Sequence, residues 1–143
     1  MRVMAVDYGD ARTGVAVSDP SGTLTGDAWV IRSKSRADVM DSLASEASSR
    51  GVSVIVVGHP KNMDGSSGRR AALSEQLAEQ LRAKCDLEVV MWDERMTTMS
   101  AGRILTDTGR FGKKRKNTID AVAASLILES YLRSIYKNDG HGL

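Results

Sequence analysis

The sequence is poor in the residues that carry several common chemistries. Cys85 is its only cysteine, so no disulfide can close within the chain. A lone cysteine is most simply a small packing residue, and its reduced state fits a cytoplasmic protein. The two histidines, His59 and His141, have no close ligand spacing, which leaves zinc without a ligand set. No G-x-S-x-G turn presents a nucleophile, and no GxxxxGK[ST] loop cradles a nucleotide. Apolar runs are short. None approaches the roughly 20 residues needed to cross a bilayer, and the first ends at Asp7, short of a signal-peptide core. Aromatic residues are also few: one Phe, two Trp and three Tyr.

What is present is an ordinary globular composition, with 41% hydrophobic and 27% charged residues in a chain of 143. That length is most simply one domain, residues 1–143, with a frayed tail over 137–143. The net charge of +2 conceals an asymmetry, because RFGKKRK (Arg110 to Lys116) holds five basic residues and no acid. Without those five, 15 basic residues face 18 acidic ones. A local basic loop on a mildly acidic protein points to a polyanion, although a solvated surface loop is the plain alternative. With so little aromatic material to stack on bases, a nucleic acid would be read through its backbone and shape.

The apolar pattern predicts strands at RVMAV, at Thr13 to Asp19 as its hairpin partner, and at an edge from Leu24 to Ile31. A helix follows with Val39, Met40, Leu43, Ala44 and Ala47 on one face, stopped by Gly51. Val52 to Gly58 reads as a strand covered on both faces. The turn-rich GHPKNMDGSSG leads into a helix from Arg69 to Lys84, with Leu73, Leu77 and Leu81 four apart. Leu87 to Trp92 is another strand. A short helix is expected from Thr97 or Thr98 to Gly109, then the basic loop, then a helix from Thr118 to Tyr136. Helical crossovers between the later strands imply parallel pairing and an α/β sheet covered by helices.

In such sheets the ligand site forms beyond the carboxyl ends of the strands. If the first strand lies beside the later ones and parallel to them, Asp7, His59 and Glu94 sit at three such ends on one edge. Asp120 shares a helical row with Ala124, Ile127 and Tyr131, which turns it toward the sheet. Each carboxylate has an ordinary explanation: a turn at Asp7, a surface ion pair at Glu94, a helix-dipole contact at Asp120. Three inward carboxylates would nonetheless repel unless a cation offset them. Oxygen donors alone suit Mg²⁺ or Mn²⁺. Two such ions beside a basic segment imply phosphodiester hydrolysis, with Arg12 and Arg95 as candidate phosphate contacts. Gly9 and Gly14 would let backbone approach backbone or ligand closely.

DYGDARTGVAVSD, GHPKNMDG, DERMTT and the helix bearing IDAVAA occur in the order seen in the YqgF (RuvX) family, and the chain resembles that family from Met1 to Tyr136. The family is named both for pre-16S rRNA nucleases and for Holliday junction resolvases. The resemblance implies an RNase H-like α/β fold: a mixed five-stranded sheet, three antiparallel then two parallel strands, flanked by helices. It also implies catalytic, metal-binding carboxylates at Asp7, Glu94 and Asp120. GHP stands where the family usually has GLP, so His59 is a tolerated substitution, a substrate contact or an accessory acid. Lys61, Asn62 and Asp64 are further candidate backbone contacts, beside Arg110, Lys113, Lys114, Arg115 and Lys116.

The expected function is therefore metal-dependent cleavage of structured nucleic acid, foremost at the 5′ end of pre-16S rRNA, by a monomer or homodimer without membrane association. The rivals are a resolvase of four-way DNA junctions, which should be a symmetric dimer, and a non-catalytic nucleic-acid module, which would not need the three acids. An actin-like ATPase fragment is a more distant reading, since those enzymes use two linked lobes.

Overall fold

The computed structural model describes residues 1–60, 68–93 and 112–138, with the backbone alone at 112–118 and 136–138. Five strands form one sheet: β1 (Arg2–Asp7), β2 (Arg12–Ser18), β3 (Thr25–Arg32), β4 (Val52–His59) and β5 (Glu88–Asp93), in the spatial order β3-β2-β1-β4-β5. β1 is the pivot. It pairs antiparallel with β2 and parallel with β4; β2 and β3 continue antiparallel, and β4 and β5 parallel. Three helices complete the described residues: α1 (Arg36–Arg50), α2 (Arg69–Lys84) and α3 (Gly112–Asn138).

The alternation of side chains along each strand divides the core in two. Val3 and Ala5 pack with Ala16, Val54 and Val56 against Ala124, Ile127, Leu128 and Leu132 of α3. Met4 and Val6 pack with Val15, Val17, Ile55 and Val57 against α1 and α2 on the other face. β1 is thus covered on both sides, and all four of its central residues are fully buried. Each fully buried Val, Leu, Ile or Met side chain stabilises the fold by about 1.5–3 kcal/mol before entropy is counted.

Helix α1 starts where Ser35 Oγ accepts from the Asp38 amide at 3.3 Å, and ends at Gly51, whose φ of 67° is the left-handed cap a glycine adopts freely. In α2 the expected row is only partly inward: Leu77 and Leu81 are buried and Leu73 is half-buried, with Ala71, Ser74 and Ala78 completing the face.

The basic segment differs from expectation. Helix α3 begins at Gly112, before the expected Thr118, so 113–116 lie on helical backbone and not in a loop. Lysine and arginine are good helix formers, and their intrinsic preference outweighs the mutual repulsion that reads as a loop. The expected short helix over 97–109 and the tail from 139 lie outside the described residues. None of the described helices is long and apolar enough to cross a membrane.

Candidate active site

The carboxyl ends of β1, β4 and β5 share one edge of the sheet, and carry Asp7, His59 and Asp93. Asp7 is the last residue of β1 and has the parity of Val3 and Ala5, the row facing α3. Its cross-strand partner is Gly14. Gly14 in turn lies against the main chain of Asp120: a β-carbon at Gly14 would meet the Asp120 carbonyl oxygen, and would lie 2.7 Å from its carbonyl carbon. One strand pair and one close helix approach therefore bring Asp7 and Asp120 to the same rim. The inward row on α3 is as expected, since Ala124 and Ile127 are fully buried and Tyr131 is half-buried.

Arg12 opens β2 on the same face. Its Nε donates to Asp120 Oδ2 at 2.9 Å. The pair stays accessible, with side chains 41% and 24% exposed.

His59 takes the opposite parity and faces α2. Its side chain is 11% exposed, and Nε2 lies 2.9 Å from Glu75 Oε1 but outside hydrogen-bond geometry. It is in register with Asp93. Arg70, which the sequence pattern did not single out, donates from Nη2 to the Tyr8 carbonyl at 3.5 Å. That contact joins the first turn of α2 to the turn after Asp7. Only its place near a helix start marks it in sequence, and nothing there indicates a partner 62 residues away.

The end of β5 is anchored to α3 by Trp92, whose Nε1 donates to Ser130 Oγ at 3.1 Å and whose ring meets Tyr131 edge-on, 5.6 Å between centroids. Burial, with a smaller push from Glu88, raises the Tyr131 phenol above its ordinary pKa and keeps it neutral. Burial likewise raises the Cys85 thiol, against the opposing pull of Lys84. A raised thiol is a poor nucleophile, which agrees with a packing role.

Lys61, Asn62, Asp64, Glu94, Arg95 and Arg110 lie outside the described residues, and for Lys113, Lys114, Arg115 and Lys116 the helical backbone alone is described. Among the described residues, no three or more His, Cys, Asp or Glu side chains gather into a metal-binding cluster. Two candidate carboxylates share the rim. Oxygen donors, free of sulfur or imidazole, fit a hard divalent cation better than zinc or copper.

Residues 1–134 match the sequence profile of a family described as "RuvX: Holliday junction resolvase". A protein of Halothermothrix orenii named "Putative pre-16S rRNA nuclease" is 42% identical over 142 residues, covering 99% of this chain and 100% of the relative. A protein of the same name from Geobacillus kaustophilus is 44% identical over 136 residues, 94% of this chain and 99% of the relative. Among solved structures, "T. thermophilus RuvC in complex with Holliday junction substrate" superimposes with a TM-score of 0.64 at 10% identity, over 94% of this chain and 96% of that one. At that identity the likeness speaks for the fold, and it is the RNase H-like fold expected from the sequence. With the profile spanning nearly its whole length and relatives above 40% identity, the chain belongs to the RuvX family.

Proposed function

We propose that this protein is a divalent-metal-dependent nuclease that trims the 5′ end of precursor 16S rRNA. The observation that carries the reading is the chain of contacts from Asp7 through Gly14 to Asp120, which gathers two carboxylates at the strand ends where α/β sheets bind ligands. Glu94, the third carboxylate of the proposed centre, follows Asp93 directly in the sequence.

Asp7, Glu94 and Asp120 would hold Mg²⁺ or Mn²⁺, one ion or two. When bound, the metal supplies Lewis-acid stabilisation of the phosphodiester oxygens and lowers the pKa of an attacking water. The protein's own part is to fix its carboxylates on rigid elements and to position the substrate backbone. Lys113, Lys114, Arg115 and Lys116 stand on the first turns of the helix that carries Asp120, so a strand held there by its phosphates is held close to the carboxylates. Cations at a helix start oppose the helix dipole. Their cost to the helix is offset if they meet a polyanion. Arg12, Lys61, Asn62, Arg95 and Arg110 complete the set of proposed backbone contacts.

The substrate is taken from the curated relatives, which share about 40% identity over nearly the whole chain and are named for pre-16S rRNA. The family description favours a second reading, cleavage of four-way DNA junctions. End-labelled precursor rRNA and an immobile DNA junction, incubated separately with protein and Mg²⁺ or Mn²⁺, distinguish them. Cleavage of the RNA near the mature 5′ end supports the proposal; cleavage of the junction alone, by a dimer, replaces it with the second reading.

A further inference from the structure

Arg12 sits at the first residue of β2, and its guanidinium bonds the Asp120 carboxylate across 108 residues of sequence. It shares the parity of Gly14 and Ala16 and so rises on the α3 face, the face of the Asp7 row. Both partners remain accessible to solvent. Exposed pairs of this kind are weak, and a guanidinium keeps its charge at every working pH. The Asp120 carboxylate is therefore paired with a cation through a weak, accessible contact.

We propose that Arg12 is a placeholder cation: it occupies the Asp120 carboxylate while no metal is bound, and is displaced when a divalent ion takes that oxygen. This rests on the reading of Asp7 and Asp120 as metal ligands. In the metal-free protein the guanidinium offsets one of two neighbouring negative charges and keeps α3 seated on β2. On metal binding it becomes a like charge beside the ion and swings clear. Arg12 is thus a positioning residue that sets metal affinity, distinct from the basic residues of α3.

Titration calorimetry with MgCl₂ and MnCl₂ at low ionic strength, on the full chain, tests this. Arg12→Gln removes the competitor and the repulsion, so it should bind metal more tightly than wild type, by up to about fivefold, the upper end set by an exposed ion pair. Arg12→Lys keeps the charge and should bind within a factor of two of wild type. Raising the salt should narrow the gap, because the competition is electrostatic. Equal or weaker binding by Arg12→Gln overturns the proposal. Binding by the wild type and its loss in Asp7→Asn uphold the underlying site, so the Arg12→Gln value then decides this proposal alone. No binding by the wild type overturns both. A second readout is the Arg12 Nε–H resonance, identified by its loss in Arg12→Lys. Saturating Mg²⁺ should speed its exchange with water; an unchanged rate also overturns the proposal.

Discussion

Gly14 and Asp120 meet main chain to main chain: α3 rests on β2 so closely that a β-carbon on Gly14 would collide with the Asp120 carbonyl. The residue paired with Gly14 across the sheet is Asp7. A single missing methyl group thus decides how near the helical carboxylate comes to the strand carboxylate.

Gly14→Ala should destabilise the fold by about 1–3 kcal/mol, as overpacking does when backbone must move. It should also weaken Mg²⁺ binding by more than a matched Ala→Val change at Ala16, one residue pair farther along the same face. Denaturant melts combined with metal titration make the comparison. Equal metal affinity in the two variants would show that the close approach serves packing alone.

Metal should stabilise the folded protein by mass action. If Asp7 and Asp120 are ligands, Mg²⁺ at a hundredfold excess over its Kd adds about 2.7 kcal/mol, seen as a rise in Tm. Asp7→Asn should remove most of that rise. A rise of the same size in both proteins would place the ion elsewhere.

The basic residues of α3 predict a salt effect. Replacing Lys113, Lys114, Arg115 and Lys116 with Ala should lower RNA affinity and flatten the plot of log K against log salt by about 3 units if all four meet single-strand phosphates. Affinity and slope that match the wild type would make the segment a solvated surface.

Asp19 gives a pH prediction away from the site. Its carboxylate accepts from Ser21 Oγ at 2.7 Å, the Thr23 amide at 2.9 Å and the Leu24 amide at 3.2 Å, closing the turn between β2 and β3. These bonds, the one from Ser21 foremost, hold its pKa well below the usual carboxylate range. A depressed folded pKa means that the stabilisation is complete above the unfolded value, near pH 4, and is lost as pH falls below it. The urea midpoint of wild type should exceed that of Asp19→Ala at pH 7, and the gap should shrink below about pH 4. A constant gap down to pH 2 would contradict the linkage.

The central place of β1 and β4 and the helical cover of the sheet were legible because both strands are apolar on both faces and only a central strand is covered that way, whereas the mixed five-stranded sheet was implied by the family resemblance. Asp7 was legible for the same reason: a charge ending such a strand needs a purpose. The inward turn of Asp120 followed from its row on the helix. The start of α3 was not legible, because a run of like charges reads as a loop until intrinsic helix preference is weighed against it. Long-range pairs were also hidden. Nothing near Arg12 or His59 in sequence encodes Asp120 or Glu75 as a partner, since each contact arises only when a helix is laid on the sheet. Gly14 stood out as a residue that permits close approach, but which backbone approaches it depends on the packing.

The most direct test of the central claim is a single-turnover cleavage assay on end-labelled precursor 16S rRNA in Mg²⁺ or Mn²⁺, with wild type, Asp7→Asn and Asp120→Asn side by side. The account predicts cleavage by the wild type and a loss of at least about a hundredfold, or about 2.7 kcal/mol in the barrier, in each variant, with RNA binding retained. Cleavage by either variant at the wild-type rate would contradict it, because the two carboxylates would then not form the centre that cuts.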